Sequence, residues 1–226
     1  RLRKEILVWS RLEHPNILPL LGIAYGFGTA GTYGMVCPWI DDGDLTHYLK
    51  QHNTLSLSER LIMVFAQTSL RPITVHWNLV IHGDLTGNNI LVAEDGRMLL
   101  CDFGLSSLNE DYSDTIYHTS SSPNYNLPWA APEIVLSEFP SRPSQSTDIY
   151  SFGSVTYQVL TGTRPYTGMA EGPIFLSLND RGFPPRPTSG FVSDEFWAFM
   201  LRCWKRNREE RPTSTDICKF LYSMSA

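Results

Sequence analysis

The residues of this sequence best suited to chemistry are an Asp and an Asn five positions apart, with a second Asp shortly downstream. They stand in His82-Gly83-Asp84-Leu85-Thr86-Gly87-Asn88-Asn89, followed by Asp102-Phe103-Gly104. One carboxylate can orient an attacking hydroxyl and accept its proton. The amide of Asn89 and the carboxylate of Asp102 offer hard oxygen donors of the kind Mg²⁺ prefers. Phosphoryl transfer needs such a set, because its catalysis is mostly positioning plus neutralisation of charge. Taken singly, either motif is weak, since an Asp serves equally well to cap a turn.

Elements must bring these residues together. Asp84 and Asn89 share one loop, and Asp102 returns to it if residues 90–92 and 98–101 are two short strands joined by a turn at Asp95-Gly96. Upstream, Leu2, Ile6, Trp9 and Leu12 give residues 1–13 an amphipathic helical spacing, closed by His14-Pro15-Asn16. Two β-rich runs follow, 17–25 and 33–39. Asp41-Asp42-Gly43-Asp44 reads as a turn that opens a short helix from Leu45 to Gln51. Ser58 to about His76 is helical in pattern, although Pro72 inside it removes a hydrogen bond and demands a kink or a break. A polar loop is expected over 104–128. Helical patterns then cover about 146–161, 172–179, 193–204 and 213–223. Strands first and helices later make an α+β fold.

Composition narrows the classes. A chain of 226 residues that is 42% hydrophobic buries a substantial core. Net charge is −5, and the Lys and Arg residues form no long run, so the footprint of a nucleic-acid or anionic-membrane partner is missing. No apolar stretch approaches the ~18 residues of a membrane span. Cys37, Cys101, Cys203 and Cys218 match no metal-ligand spacing and read as reduced thiols of an intracellular, cytoplasmic protein.

The order of further motifs sharpens the reading. After Asp-Phe-Gly come Ala131-Pro132-Glu133, Asp148-Ile149-Tyr150-Ser151-Phe152-Gly153, Cys203-Trp204 and Arg211-Pro212. In this order the chain resembles the eukaryotic protein kinase family over essentially its whole length, from that family's C helix onward. Leu127-Pro128-Trp129 and Arg211-Pro212-Thr213 place the resemblance nearest the tyrosine-kinase-like group, including its fungal expansions. The resemblance implies a mainly helical large lobe over 41–226, preceded by part of a small lobe over 1–40. It makes Asp84 the catalytic base and Asn89 and Asp102 the Mg²⁺ ligands, with ATP as phosphoryl donor and a protein as acceptor. Glu133 would pair with Arg211, and Asp148 would brace the catalytic loop. Glu5 matches the helix glutamate that pairs with the ATP-binding lysine. Val36-Cys37-Pro38-Trp39-Ile40 matches the hinge that frames adenine, with Cys37 at the gatekeeper position, and Leu91 joins the same nucleotide-binding set.

Departures from the family pattern carry their own expectations. The chain opens at the C helix, and none of Lys4, Lys50, Lys205 and Lys219 stands where the ATP lysine should. The expectation is a piece of a longer domain with little activity by itself. Gly26-Phe27-Gly28-Thr29-Ala30-Gly31 matches G-x-G-x-x-G but follows the C helix, so it reads as a hairpin loop. Gly83 replaces the arginine that usually reads a phosphorylated activation loop. Thr86 stands where Ser/Thr kinases carry Lys and tyrosine kinases carry Ala or Arg, and no Thr lies near Asn126, so neither pattern is met; hydroxyls of Ser and Thr are preferred over Tyr on subgroup resemblance alone. Two other functions compete: a kinase-like scaffold that no longer catalyses, and a small-molecule phosphotransferase, which shares the His82-Gly83-Asp84…Asn89 form. Ala131-Pro132-Glu133, the Asp148 motif and Arg211 belong to protein kinases and weigh against the latter. An apolar strand edge bearing Ile23 and Val36 should leave residues 1–40 comparatively mobile or prone to associate. Oligomeric state is left open.

Overall fold

The computed structural model describes residues 2–26, 31, 33–66, 80–103, 107–108, 126–136, 142–188 and 191–224. In chain order its elements begin with helix α1 (Leu2–Trp9), strands β1 (Gly22–Tyr25) and β2 (Tyr33–Val36), and helices α2 (Leu45–Gln51) and α3 (Leu57–Ala66). Four short strands follow: β3 (Val80–Ile81), β4 (Ile90–Val92), β5 (Met98–Leu100) and β6 (Ser107–Leu108). Helices α4 (Pro132–Val135), α5 (Gln145–Thr161), α6 (Glu171–Asp180), α7 (Asp194–Cys203) and α8 (Ser214–Met224) complete the chain. The strands make three separate antiparallel pairs, β1 with β2, β3 with β6 and β4 with β5. The fold is α+β: among the described residues all six strands and three helices lie in the first half, and the other five helices follow in the second.

Helix α5 is the centre. Every residue from Thr147 to Leu160 is buried, so the helix has no solvent face and is covered on all sides. Helices α3 and α7 pack against it. Beside them Phe183 stacks on Trp204, and Phe199 stacks on Phe220 at 4.3 Å between ring centroids. Local sequence sets the helix starts. Ser144 caps α5 through Thr147 in a reciprocal capping box, and Ser56 with Glu59 and Thr213 with Asp216 do the same for α3 and α8.

The first 40 residues are not alike. Helix α1 buries Val8 and Trp9, and it stops well short of Pro15. Ile17 and Leu18 are also buried, stitched to β5 by bonds from Leu18 N to Leu100 O (2.9 Å) and from Leu100 N to Asn16 O (2.8 Å). The β1–β2 ribbon differs, leaving Ile23, Tyr25, Tyr33 and Val36 exposed.

Several expectations are corrected. The β-rich runs 17–25 and 33–39 shorten to Gly22–Tyr25 and Tyr33–Val36, because only there do the two chains pair in register. The polar loop expected over 104–128 contains a strand, Ser107–Leu108, which pairs with Val80–Ile81 and which its polar neighbours disguised. A short helix at Pro132–Val135 also went unread; its Pro at the first turn lacks an N–H that would be unsatisfied there anyway. Tyr25 pairs antiparallel with Tyr33, and residues 27–30 and 32 of the glycine-rich segment read as a hairpin loop lie outside the described residues. Pro72, His76, Gly104 and most of the 104–125 segment lie outside the described residues.

Candidate active site

The loop that carries Asp84 is held from below. Asp148, near the start of α5, accepts the backbone N–H of His82 at 2.8 Å and of Gly83 at 3.0 Å, one on each carboxylate oxygen. Burial pushes the Asp148 carboxyl above its ordinary range, while those two N–H groups and His82 act in the opposite direction. Gly83 takes φ +81, a left-handed conformation that costs glycine nothing. His82 is itself buried, with Nε2 3.1 Å from Cys101 O and Nδ1 accepting the Asp84 N–H at 3.3 Å.

Two amides clasp the Asp84 carboxylate. Asn89 Nδ2 donates to Asp84 O at 2.8 Å and to Asp84 Oδ2 at 3.1 Å. Asn126 Nδ2 donates to Asp84 Oδ1 at 3.0 Å, with Oδ2 at 3.3 Å. The carboxylate is thereby aimed rather than left to rotate. Sequence reasoning found Asn89 but took Asn126 only as a missing Thr. Asn126 and Asp84 stand 42 positions apart, and that separation gave no local signal of the contact.

Asp102 returns to the same place. Cys101 N donates to Asn89 O at 3.0 Å, one step beyond the Ile90–Leu100 pair, so Asn89 and Asp102 lie at the same end of the β4–β5 hairpin. Asp102 is exposed and has φ 58, a backbone state that non-glycine residues adopt rarely and Asp more readily than most. Burial, then the Asp102 charge, push the neighbouring Cys101 thiol up to about 12, so it stays protonated at neutral pH. Phe103 is buried between the rings of Trp9, at 5.7 Å, and His82, at 5.1 Å. These ring contacts tie α1 to the loop that carries Asp84. Glu5 lies half-buried one helical turn before Trp9 on α1.

The hinge candidates Cys37, Pro38, Trp39 and Ile40 connect β2 to the turn before α2. Trp39 is exposed, and Pro38 and Ile40 are half-buried. Leu91 pairs with the turn that follows them: Asp44 bridges to Leu91, and Val92 N donates to Gly43 O at 3.0 Å. Farther off, Arg211 meets Glu133 in a bidentate pair at 2.6 and 2.8 Å, and the Arg211 side chain is 1% exposed.

This set of oxygens, amides and packed rings suits phosphoryl transfer, and the comparison with known proteins agrees. The family described as protein tyrosine and serine/threonine kinase matches residues 1–221. The chain belongs to the protein kinase family. The kinase chain is 29% identical over 215 residues to a probable serine/threonine-protein kinase of Dictyostelium discoideum, covering 94% of this chain and 40% of that protein. It is 28% identical over 218 residues to the serine/threonine-protein kinase A-Raf of Mus musculus, covering 95% and 35% respectively. A-Raf of Sus scrofa is matched at 28% over 219 residues. The kinase chain thus spans well under half the length of these curated relatives. Among its described residues no helix is long and apolar enough to cross a membrane.

Proposed function

We propose that this kinase domain transfers the γ-phosphoryl group of ATP to Ser and Thr hydroxyls of a protein. The observation that carries the reading is the Asp84 carboxylate aimed by Asn89 and Asn126, with Asp102 at the adjoining hairpin end. Asp84 orients the acceptor hydroxyl and takes its proton as the oxygen attacks.

Donor chemistry fits Mg²⁺. Asn89 spends its NH₂ group on Asp84, which leaves its amide oxygen as a donor, and the Asp102 carboxylate is exposed beside it. Among the described residues no three His, Cys, Asp or Glu side chains form a ready metal cage. A site with few protein oxygens suits an ion that keeps waters and substrate phosphates in its shell. When bound, ATP with Mg²⁺ supplies the phosphoryl group and neutralises its charge. Cys37, Pro38, Trp39, Ile40 and Leu91 would frame the adenine, and Glu5 on α1 would pair with the family's ATP-binding lysine. The names of the relatives support Ser and Thr over Tyr as acceptors.

Calorimetric titration of the chain with ATP, with and without Mg²⁺, alongside Asp102→Asn, tests this. Mg²⁺-dependent binding that disappears in the variant is the expected result, followed by phosphotransfer that Asp84→Asn abolishes. Absence of Mg²⁺-dependent binding would turn the reading to a kinase-like scaffold.

A further inference from the structure

The turn that carries Asn126 is fixed at both ends by side chains. Trp129 N and Ala130 N both donate to Asn126 O, at 2.9 and 3.1 Å, which closes the turn. At its first residue the Asn126 amide lies on Asp84. At its fourth, the Trp129 indole N–H donates to Gln158 Oε1 at 3.1 Å, and Trp129 O accepts the Ser151 hydroxyl at 2.9 Å.

Gln158 is buried at 1% exposure, in the last turn of α5, and it uses both ends of its amide. Its Nε2 donates to Thr46 Oγ1 at 3.0 Å, on α2, the helix that follows the hinge. The same amide fills the space against Gly87, where a Cβ would come within 2.3 Å of Oε1. Gly87 opens the 3₁₀ turn Gly87–Asn89 that presents Asn89. One buried amide therefore touches the catalytic loop, the turn bearing Asn126 and α2. It cannot rotate without leaving a buried donor or acceptor unmet, so its orientation is well specified.

We infer that Gln158 is a positioning residue for the acceptor side of the site: by fixing Trp129 it fixes Asn126, and through Asn126 the direction of the Asp84 carboxylate. The inference rests on the phosphoryl-transfer reading given above. A merely structural Gln158 would affect stability and leave the Asn126 amide where it is.

The test uses Gln158→Leu, Gln158→Glu and Trp129→Phe in the 226-residue chain. It reads the Trp129 indole and Asn126 side-chain amide signals by ¹⁵N NMR, together with kcat and KM. Q158L removes the indole acceptor and should move both signals. It should lower kcat about tenfold or more while ATP affinity stays within about twofold. Q158E keeps an acceptor for the indole, and the Thr46 hydroxyl can donate to it. It should restore the Asn126 signal and most of kcat. An indole signal that moves in Q158L while the Asn126 amide stays in place overturns the inference. If Q158L does not fold, W129F deletes the indole donor together with part of the ring, and an undisturbed Asn126 amide in that variant overturns it equally. Should the wild-type chain show no turnover while the Asn126 signal still follows position 158, the positioning link stands and the phosphoryl-transfer reading fails.

Discussion

Arg211 donates to Glu133 twice, to Lys205 O at 2.9 Å and to Ser146 O at 2.8 Å, so its charge is fully accounted for in a space nearly closed to solvent. Such a pair is costly to break from one side, because the remaining charge is stranded. Glu133→Ala is expected to lower stability by about 3–5 kcal/mol in urea unfolding. Arg211→Met should cost less, because the Glu133 side chain is 22% exposed and can reach water. The double variant should lose less than the two losses added together. Gly87 makes a different demand. A methyl group there would collide with the Gln158 amide, which hydrogen bonds to Trp129 and Thr46 prevent from moving aside. Gly87→Ala should cost about 1–3 kcal/mol through overpacking, seen as a lower Tm.

At the scale of elements, two helix starts carry titrating caps. The Ser56 hydroxyl and N–H hold the Glu59 carboxyl below its ordinary value of 4.5, and the Thr213 hydroxyl and N–H hold Asp216 below 3.8. A depressed carboxyl pKa contributes stability that is present above the unfolded value and is lost as pH falls through the folded one. The capped chain should therefore lose Tm on acidification from pH 5 to 3. The E59Q and D216N variants should show a shallower loss, and an unchanged slope in both would remove the caps from the account. Both groups are exposed, so the effect is small. The β1–β2 ribbon sets another expectation. With Ile23, Tyr25, Tyr33 and Val36 exposed, the 226-residue chain should associate as its concentration rises, and Ile23→Lys should reduce this in sedimentation experiments. A wild-type chain that stays monomeric at high concentration would refute it.

Over the whole molecule, protection from hydrogen exchange should follow burial rather than position in the chain. Helix α5 is enclosed from Thr147 to Leu160 and should exchange last. Asn16–Leu18, bonded to β5 and Met98, should be protected well above the β1–β2 ribbon, although both lie within residues 1–40. Uniform fast exchange throughout 1–40 would contradict the structure. The sequence-based expectation treated that region as one unit, and burial divides it.

The chain itself specified much of this protein. Local pattern located α2, the β4–β5 hairpin and the later helices to within about two residues, since capping boxes, turn glycines and apolar periodicity act over a few positions. Residue types raised Asp84, Asn89 and Asp102 as candidates, and the order of the surrounding motifs, through the family resemblance, singled them out. The β3–β6 pair, the Trp9–Phe103–His82 stack, Asn126 on Asp84 and Gln158 between Trp129 and Thr46 had no such signature. Each joins residues far apart along the chain through a few hydrogen bonds or ring contacts. Nothing in a Trp, an Asn or a Gln announces its partner until packing around α5 has closed the distance and removed the water that would otherwise satisfy it.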